Sequence, residues 1–377
     1  MKPKREGTSL RLYYFFYFCA IGALEPYLNL YFRHLGFSGR QIGLLSGSPG
    51  LIHAIFPFLW GALADARRQR NGILLLNTWA TPLALGLLLF AERFLPILLA
   101  ILLFAIFRSP LIALLNAFAL QYGKEREIDY GRLRVWGSLG YILAAIVLGR
   151  LIDLHSPRIA LYGALGGFLL CGLTWGKGFP WKGGQVGFKR EFAQIWRERR
   201  LLTFLLVGLL TWMSWAAYSN FFTIHLEELG ISKGFAGWAW ALGVVSEVVL
   251  MFGWGRIASR FRPRDLLTFA LLLIAVRWFL FSLAHTPVAI LAIQLLHGIS
   301  FATFYLSSMV ILDGMVPPGL RATGQGMYSA LTFGLGSFLG GIISGLLFDQ
   351  WGMAVLFRLS SLMALLALWL YVGSRRS

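Results

Sequence analysis

Three ionisable residues, Glu247, Arg277 and His297, lie near the middle of three consecutive apolar segments of this 377-residue chain. Counting at about 1.5 Å per helical residue places the three side chains near one depth. A charge at the centre of a membrane costs at least about 2.5–3.5 kcal/mol, so such residues usually face a polar interior and pair with one another. The pattern predicts a proton or ion pathway. The structural alternative is a permanent ion-pair network that only holds the helices together.

These three residue types have complementary proton chemistry. A buried carboxylate beside a guanidinium stays ionised, and loss of that partner favours its protonation. Histidine exchanges a proton near neutral pH. We therefore expect Glu247, assisted by Arg277 and His297, to carry a coupled proton. Glu25, which lies just before Pro26 in the first apolar segment, is a further candidate for this role.

Other polar and aromatic side chains of the apolar segments are candidates for binding a solute, because organic ligands are usually held by rings and a few placed polar groups. These candidates are Asn29, Arg108, Asn116, Trp212, Trp215, Asn220 and Gln294. Arg108 could bind a substrate carboxylate, or it could only neutralise Glu25. Trp212 and Trp215 could instead face lipid, as membrane tryptophans often do.

The composition indicates a membrane protein, since 58% of the residues are hydrophobic and 13% are charged, whereas a soluble domain carries about 25% charge. The net charge of +18 could suggest nucleic-acid binding. Most of the Lys and Arg residues, however, fall on the side that faces the N-terminus. This is the positive-inside pattern, and it predicts that both termini are cytoplasmic and that no nucleic acid is bound.

Apolar runs of about 20 residues, the length that crosses a bilayer, recur twelve times along the chain. They lie near 10–32, 41–64, 72–91, 95–118, 134–153, 157–175, 201–226, 234–257, 265–284, 287–311, 323–346 and 352–373. The longest polar interruption is a basic stretch at 176–200, which we interpret as a cytoplasmic linker.

Three short motifs recur at nearly one offset along the sequence. Leu35-Gly36-Phe37-Ser38 recurs as Leu229-Gly230-Ile231-Ser232, Gly61-Ala62-Leu63-Ala64-Asp65 corresponds to Gly255-Arg256-Ile257-Ala258-Ser259, and Gly149 with Asp153 corresponds to Gly345 with Asp349. Three ordered matches indicate two homologous six-helix halves, residues 1–175 and 201–377. Parallel repeats of this kind usually carry a substrate site near the midplane of the membrane. Gly336 with Gly340, and Gly341 with Gly345, have the spacing of helix-packing faces.

The segment Gly61 to Arg70 resembles the loop motif of the major facilitator superfamily, with Arg68 at the position of the motif's second glycine. Gly61 would allow close helix contact. The resemblance implies that Gly61, Asp65 and Arg67 make contacts that hold the two halves in one access state.

A narrower resemblance, to the phenylpropionate-permease group of proton symporters, covers nearly the whole chain. It is carried by residues 26–28, 35–38, 41–45, 59–61, 130–138 and 294–298. The related lactose-permease type has a carboxylate at the position of Ser300 in this chain. The phenylpropionate group usually has an acid at the position of Asn116 in this chain.

Together these observations predict an all-α polytopic membrane protein with twelve transmembrane helices in two pseudo-symmetric six-helix bundles, the major facilitator fold. The predicted function is proton-coupled symport of a small organic solute by alternating access, with an aromatic or other organic acid as the first substrate class. Sugars, oligosaccharides, nucleosides and export by proton antiport are the alternatives. We expect a monomer in the cell inner membrane, without enzymatic activity, catalytic residues, metal site or cofactor other than the proton gradient.

Overall fold

The computed structural model describes residues 3–67, 69–175, 199–317 and 321–374. These residues are almost entirely helical, and no strand occurs among them. The helices are α1 Pro3–Leu24, α2 Leu28–His34, α3 Gly39–Ala66, α4 Arg70–Gly86, α5 Phe94–Arg108, α6 Leu111–Arg126, α7 Tyr130–Leu154, α8 Ile159–Trp175, α9 Arg199–Glu228, α10 Lys233–Ala258, α11 Pro263–Phe281, α12 Pro287–Met315, α13 Arg321–Ser329 and α14 Gly336–Ser374. A 3-10 turn at Leu87–Leu89 extends α4, and π-helical turns at Ala330–Leu335 join α13 to α14. Apart from its last two residues, the predicted linker at 176–200 lies outside the described residues.

The twelve predicted spans are all helical, although several consist of more than one helix. Spans one, four and eleven are each divided in two, and α14 continues from span eleven into span twelve through a kink at Gly352 (φ 70°). By length and composition, eight helices in the described part of the chain are long and apolar enough to cross a membrane, and Ile159–Thr174 is a shorter apolar helix. The chain is a multi-pass membrane protein, and the predicted fold class is confirmed.

The break in span four has a local cause in Pro110. Proline has no backbone N–H, so the carbonyl of Ile106, four residues earlier, loses its helical hydrogen bond. That carbonyl instead accepts hydrogen bonds from Ser109 Oγ at 2.9 Å and from Trp60 Nε1 at 3.0 Å. Within a membrane such replacement partners are needed, because lipid cannot satisfy a free carbonyl. Arg108 ends the helix that precedes this break.

Residue contacts divide the chain into two compact units. Unit 1 comprises the described parts of 1–37, 55–186 and 232–241, and unit 2 comprises those of 38–54, 187–231 and 242–377. The two short segments, 38–54 and 232–241, therefore pack in the unit that holds most of the opposite half of the sequence. The predicted halves, 1–175 and 201–377, stay a prediction.

Small residues bring the helices of each unit into backbone contact. In unit 1, a Cβ atom added at Gly140 would lie 2.2 Å from the carbonyl oxygen of Phe15 on α1. In unit 2, a Cβ atom added at Gly340 would lie 2.8 Å from the Cβ atom of Ala216 on α9. Close approach through glycine is the usual way in which membrane helices pack, because no hydrophobic effect drives them together in lipid.

Candidate functional site

The structure brings Glu247 and His297 together in unit 2. His297 Nε2 on α12 lies 4.0 Å from Glu247 Oε2 on α10. The two side chains are 12% and 24% exposed, respectively, so neither is fully enclosed. His297 Nδ1 has no hydrogen-bond partner among the described residues. This distance is too long for a direct hydrogen bond, so proton exchange between the imidazole and the carboxylate would need a bridging water or a small movement of either side chain.

Ser246 and Gly298, the residues beside this pair, join the two helices. Ser246 Oγ donates a hydrogen bond to the carbonyl of Gly243 at 2.7 Å and accepts one from the Gly298 N–H at 2.8 Å. A Cβ atom added at Gly298 would lie 2.2 Å from the carbonyl carbon of Ser246. The absence of a side chain at Gly298 therefore lets α10 and α12 touch, and this contact holds Glu247 and His297 at one level.

Arg277 on α11 is fully buried in a box of aromatic rings. Its guanidinium carbon lies 5.1 Å from the ring centroid of Trp215, 4.7 Å from that of Tyr218, 4.8 Å from that of Trp278 and 5.3 Å from that of Phe281. Stacking of this kind suits the planar, weakly hydrated guanidinium group. The rings of Trp215 and Tyr218 also contact the His297 ring.

Gln294 is the hydrogen-bond acceptor of this buried cation. Arg277 Nη2 donates to Gln294 Oε1 at 2.8 Å, and Gln294 Nε2 donates to the Tyr218 hydroxyl at 2.9 Å. Gln294 is itself fully buried, so in this structure it serves Arg277 rather than a solute. The three sequence-predicted residues thus form two neighbouring arrangements: a carboxylate–imidazole pair and a cation held by an amide and aromatic rings.

Replacing Gln294 with leucine should destabilise the protein. The change keeps the volume but leaves a buried guanidinium without the oxygen that accepts its hydrogen bond, and we expect a loss of about 3 kcal/mol. Thermal unfolding of the purified protein in detergent measures the loss. Gln294→Glu is the matched control, because it keeps an oxygen acceptor and should be tolerated. An unchanged unfolding temperature in Gln294→Leu would show that the rings alone hold Arg277.

A ladder of rings extends along α12 from His297. The rings of His297 and Phe301 are stacked with centroids 5.7 Å apart, and those of Phe301 and Tyr305 are stacked at 6.2 Å. These residues recur every four positions and therefore share one helix face. All three are partly exposed. Sequence reasoning missed Phe301 and Tyr305, although their spacing from His297 was a usable signal.

Trp212 and Phe333 widen this ring surface. Their ring centroids lie 4.5 Å apart, and Trp212 Nε1 donates a hydrogen bond to Ser337 Oγ at 2.8 Å. Phe333 belongs to the π-helical turns Ala330–Leu335 and also lies 6.2 Å from Tyr305. π-helical turns occur frequently at functional sites. Trp215, in contrast, is buried beneath this surface.

Glu25 and Arg108 form a second charged pair, within unit 1. Arg108 Nη1 lies 3.9 Å from Glu25 Oε1, and the side chains are 20% and 53% exposed, respectively. Glu25 lies in the break between α1 and α2, and Arg108 is the last residue of α5. An acid near the start of α2 and a cation at the end of α5 both suit the helix dipoles. Helix breaks at membrane depth commonly form solute and ion sites in transporters.

The remaining predicted residues lie at several places. Asn116 Oδ1 accepts a hydrogen bond from the Tyr14 hydroxyl at 2.7 Å. Asn29 and Asn220 are partly exposed.

Of the predicted conformational motif, Arg67 is exposed, and the side chain of Asp65 lies outside the described residues. A Cβ atom added at Gly61 would meet nothing within 4 Å, so the close helix contact expected there is not made among the described residues. Within the described ranges, no group of three His, Cys, Asp or Glu side chains could hold a metal ion.

Comparison with known proteins places this architecture in a family. The model of the MFS_1 like family matches residues 8–359, nearly the whole chain. The chain belongs to the MFS_1 like family. The predicted membership of the major facilitator superfamily is therefore confirmed, and so is the general prediction of a transporter fold.

Relatives in this family include proteins described as transporters of different solutes. The chain is 28% identical to the probable 3-phenylpropionic acid transporter of Escherichia coli over 96% of each chain. It is 27% identical to the maltose permease of Geobacillus stearothermophilus, over 91% of this chain and 88% of that protein. The crystal structure of the nucleoside transporter NupG has the same fold, with a TM-score of 0.90, 19% identity and full coverage of both chains.

Proposed function

We propose that this protein is a secondary active transporter that couples the movement of protons to the symport of a small organic solute. The observation that carries the proposal is the Glu247–His297 pair at the start of the ring ladder on α12. Ionisable pairs inside membrane spans are functional by default, because an unused charge at that depth would only be costly. The proton binds at Glu247, and His297 assists its transfer.

The solute is an organic molecule with a ring or another flat apolar face. Trp212, Phe301, Tyr305 and Phe333 are partly exposed rings in mutual contact. Such a surface could instead face lipid, but it begins at the ionisable Glu247–His297 pair, and ionisable groups at membrane depth face protein or water rather than lipid. The named relatives, which are described as a probable transporter of an aromatic acid, a maltose permease and a nucleoside transporter, support an organic solute and leave all three classes as candidates.

An aromatic or other organic acid is the first substrate class because of Arg108. Its side chain is 20% exposed, its guanidinium group lies over the Phe104 ring at 5.5 Å, and Glu25 is a charged neighbour at 3.9 Å, a long distance for an ion pair. A carboxylate on the solute could therefore replace Glu25 as its partner. Release of Glu25 would make this acid a second proton acceptor.

The proposal includes the membrane and the orientation. We place the protein in a cell inner membrane with both termini in the cytoplasm, because the basic residues concentrate on that side. The oligomeric state that we propose is a monomer. Movement of the halves 1–175 and 201–377 would expose the site alternately to the two sides of the membrane.

Purified protein in proteoliposomes tests the function directly. Thermal-shift screening against aromatic acids, sugars and nucleosides first identifies a ligand. Uptake of that ligand is then measured with and without an imposed pH gradient, together with a pH-sensitive dye inside the vesicles. Symport predicts accumulation only when the outside is acidic, with acidification of the interior. Accumulation only when the inside is acidic would indicate antiport. Uptake that does not depend on the pH gradient would contradict proton coupling.

The substitution Arg108→Lys tests the acidic substrate class. If Arg108 binds a carboxylate, the ammonium group should weaken binding roughly tenfold or more, because only the planar guanidinium group donates two parallel hydrogen bonds. Titration calorimetry or the ligand-induced thermal shift measures the affinity. Arg93→Lys, an exposed position at the start of the same helix, is the control and should bind normally. Unchanged affinity in Arg108→Lys would reduce Arg108 to a partner of Glu25 and favour a neutral ligand.

A further inference from the structure

Two loops related by the internal repeat have the same construction. Gly36 and Gly230 adopt the left-handed conformation, with φ values of 84° and 73°. Two residues later, Ser38 Oγ accepts a hydrogen bond from the Gln41 N–H at 3.3 Å, and Ser232 Oγ accepts one from the Phe235 N–H at 3.1 Å. Each glycine thus ends one helix, and each serine begins the next, α3 or α10.

Each of these helices receives a second cap from an aspartate elsewhere in the sequence. Asp349 accepts hydrogen bonds from the backbone N–H groups of Gly39 and Arg40 at 2.7 and 2.9 Å, one to each carboxylate oxygen. Asp153 accepts hydrogen bonds from those of Lys233 and Gly234, both at 2.7 Å, again one to each oxygen. A charge-assisted pair at a helix N-terminus, where the dipole is positive, is a strong arrangement.

The glycine one turn before each aspartate lets the helix backbones meet. A Cβ atom added at Gly345 on α14 would lie 2.3 Å from the carbonyl oxygen of Gly39. A Cβ atom added at Gly149 on α7 would lie 2.5 Å from the carbonyl oxygen of Lys233. Each aspartate can therefore reach its helix N-terminus only while the two backbones touch.

Each cap joins the two halves of the sequence. Asp349 belongs to the C-terminal half but caps α3 of the N-terminal half, whereas Asp153 belongs to the N-terminal half but caps α10 of the C-terminal half. In agreement with these contacts, 38–54 clusters in unit 2 and 232–241 in unit 1. The predicted topology places both caps on the non-cytoplasmic side.

We propose that Asp153 and Asp349 are positioning residues of the transport cycle. Their caps form a paired latch that holds the non-cytoplasmic ends of α3 and α14, and of α7 and α10, together, and both caps must open before a solute enters from that side. Asp349 is exposed and Asp153 is partly exposed, so water can solvate the carboxylates and the freed N–H groups when the latch opens. This inference rests on the alternating-access cycle of the proposed function.

The test is a distance measurement that needs neither a solute nor a proton gradient, so its outcome is independent of whether the transport proposal holds. Spin labels are attached at Phe90→Cys and Val288→Cys, which are 89% and 79% exposed in the native protein and belong to opposite sequence halves. The native cysteines, Cys19 and Cys171, are first replaced with alanine. Double electron–electron resonance then gives the distribution of the distance between the two labels in the reconstituted protein. The measurement is made with Asp153 and Asp349 intact and with either or both replaced.

Asp153→Asn and Asp349→Asn remove the charge at nearly constant size. Each should raise the ratio of the longer-distance to the shorter-distance population on the order of tenfold, and the double variant should raise it further. Glu228→Gln, an exposed acid at the same predicted side, is the control and should leave the distribution unchanged. Distributions identical to the parent in both single variants would overturn the latch, even if their thermal stability fell.

A second measurement uses the native protein, so it does not depend on whether the variants fold. Hydrogen–deuterium exchange is followed for the segments 38–43 and 232–237. A paired latch predicts that the amides of Gly39, Arg40, Lys233 and Gly234 open together, with one common opening rate. Independent opening of the two segments would overturn the pairing.

Discussion

Replacing Glu247 with glutamine should abolish accumulation of solute driven by a pH gradient while exchange of solute continues. Glutamine imitates the protonated carboxyl group but cannot release a proton. Exchange between two loaded sides requires no proton release, whereas uphill transport does. In proteoliposomes, the accumulation ratio should fall to about one, and counterflow should stay within a fewfold of the native rate.

Three further variants make this experiment decisive. Glu92→Gln, an exposed acid outside the candidate site, should transport normally. His297→Gln should reproduce the defect of Glu247→Gln only if the imidazole relays the proton. Full uphill transport by both Glu247→Gln and His297→Gln would remove this pair from the mechanism. Glu25→Gln would then test the remaining candidate acid.

The structure also distinguishes a role of Glu247 in proton transfer from a purely structural role. Arg277 keeps Gln294 and four aromatic rings as partners when Glu247 is neutral. The unfolding temperature of Glu247→Gln should therefore remain close to the native value. A large loss of stability together with lost exchange would instead indicate a static network.

Replacing Gly298 with alanine should damage the protein far more than the same replacement at Gly314, the other glycine of α12. The new Cβ atom would lie 2.2 Å from the carbonyl carbon of Ser246 and 2.5 Å from the backbone nitrogen of Glu247. Backbone atoms cannot move aside as a flexible side chain can, so α10 and α12 must separate. Overpacking of this kind typically costs about 1–3 kcal/mol, and separation would also pull Glu247 away from His297.

Gly314→Ala, in the same helix, is the matched control. A Cβ atom added there meets nothing within 4 Å, and alanine is favoured over glycine in a helix by about 1 kcal/mol. Thermal unfolding and proton-coupled uptake should both be impaired in Gly298→Ala and preserved in Gly314→Ala. Equal behaviour of the two variants would refute the role assigned to the contact between Ser246 and Gly298.

The class, the fold and the family of this protein could be predicted from its amino-acid sequence alone. Membrane spans are defined by length and hydrophobicity, both of which are properties of continuous segments, so the sequence could indicate the twelve apolar segments that are helical in the structure. The repeat of Gly149 and Asp153 as Gly345 and Asp349 was also visible. The structural role of the two repeated aspartates was not visible, because the helix N-termini that they cap lie far away in sequence.

The partners of the ionisable residues, in contrast, depend on how the helices pack. Counting residues gives depth along a helix, and on that basis Glu247, Arg277 and His297 appeared equivalent. Because these spans are apolar on every side, their sequences contain no periodic pattern that indicates which face of the helix points inward. The rotation of α11 places Arg277 against Gln294 and the rings, while close packing at Gly298 places Glu247 beside His297. Depth is a one-dimensional property that sequence encodes, whereas rotation and contact depend on all the helices packing at once.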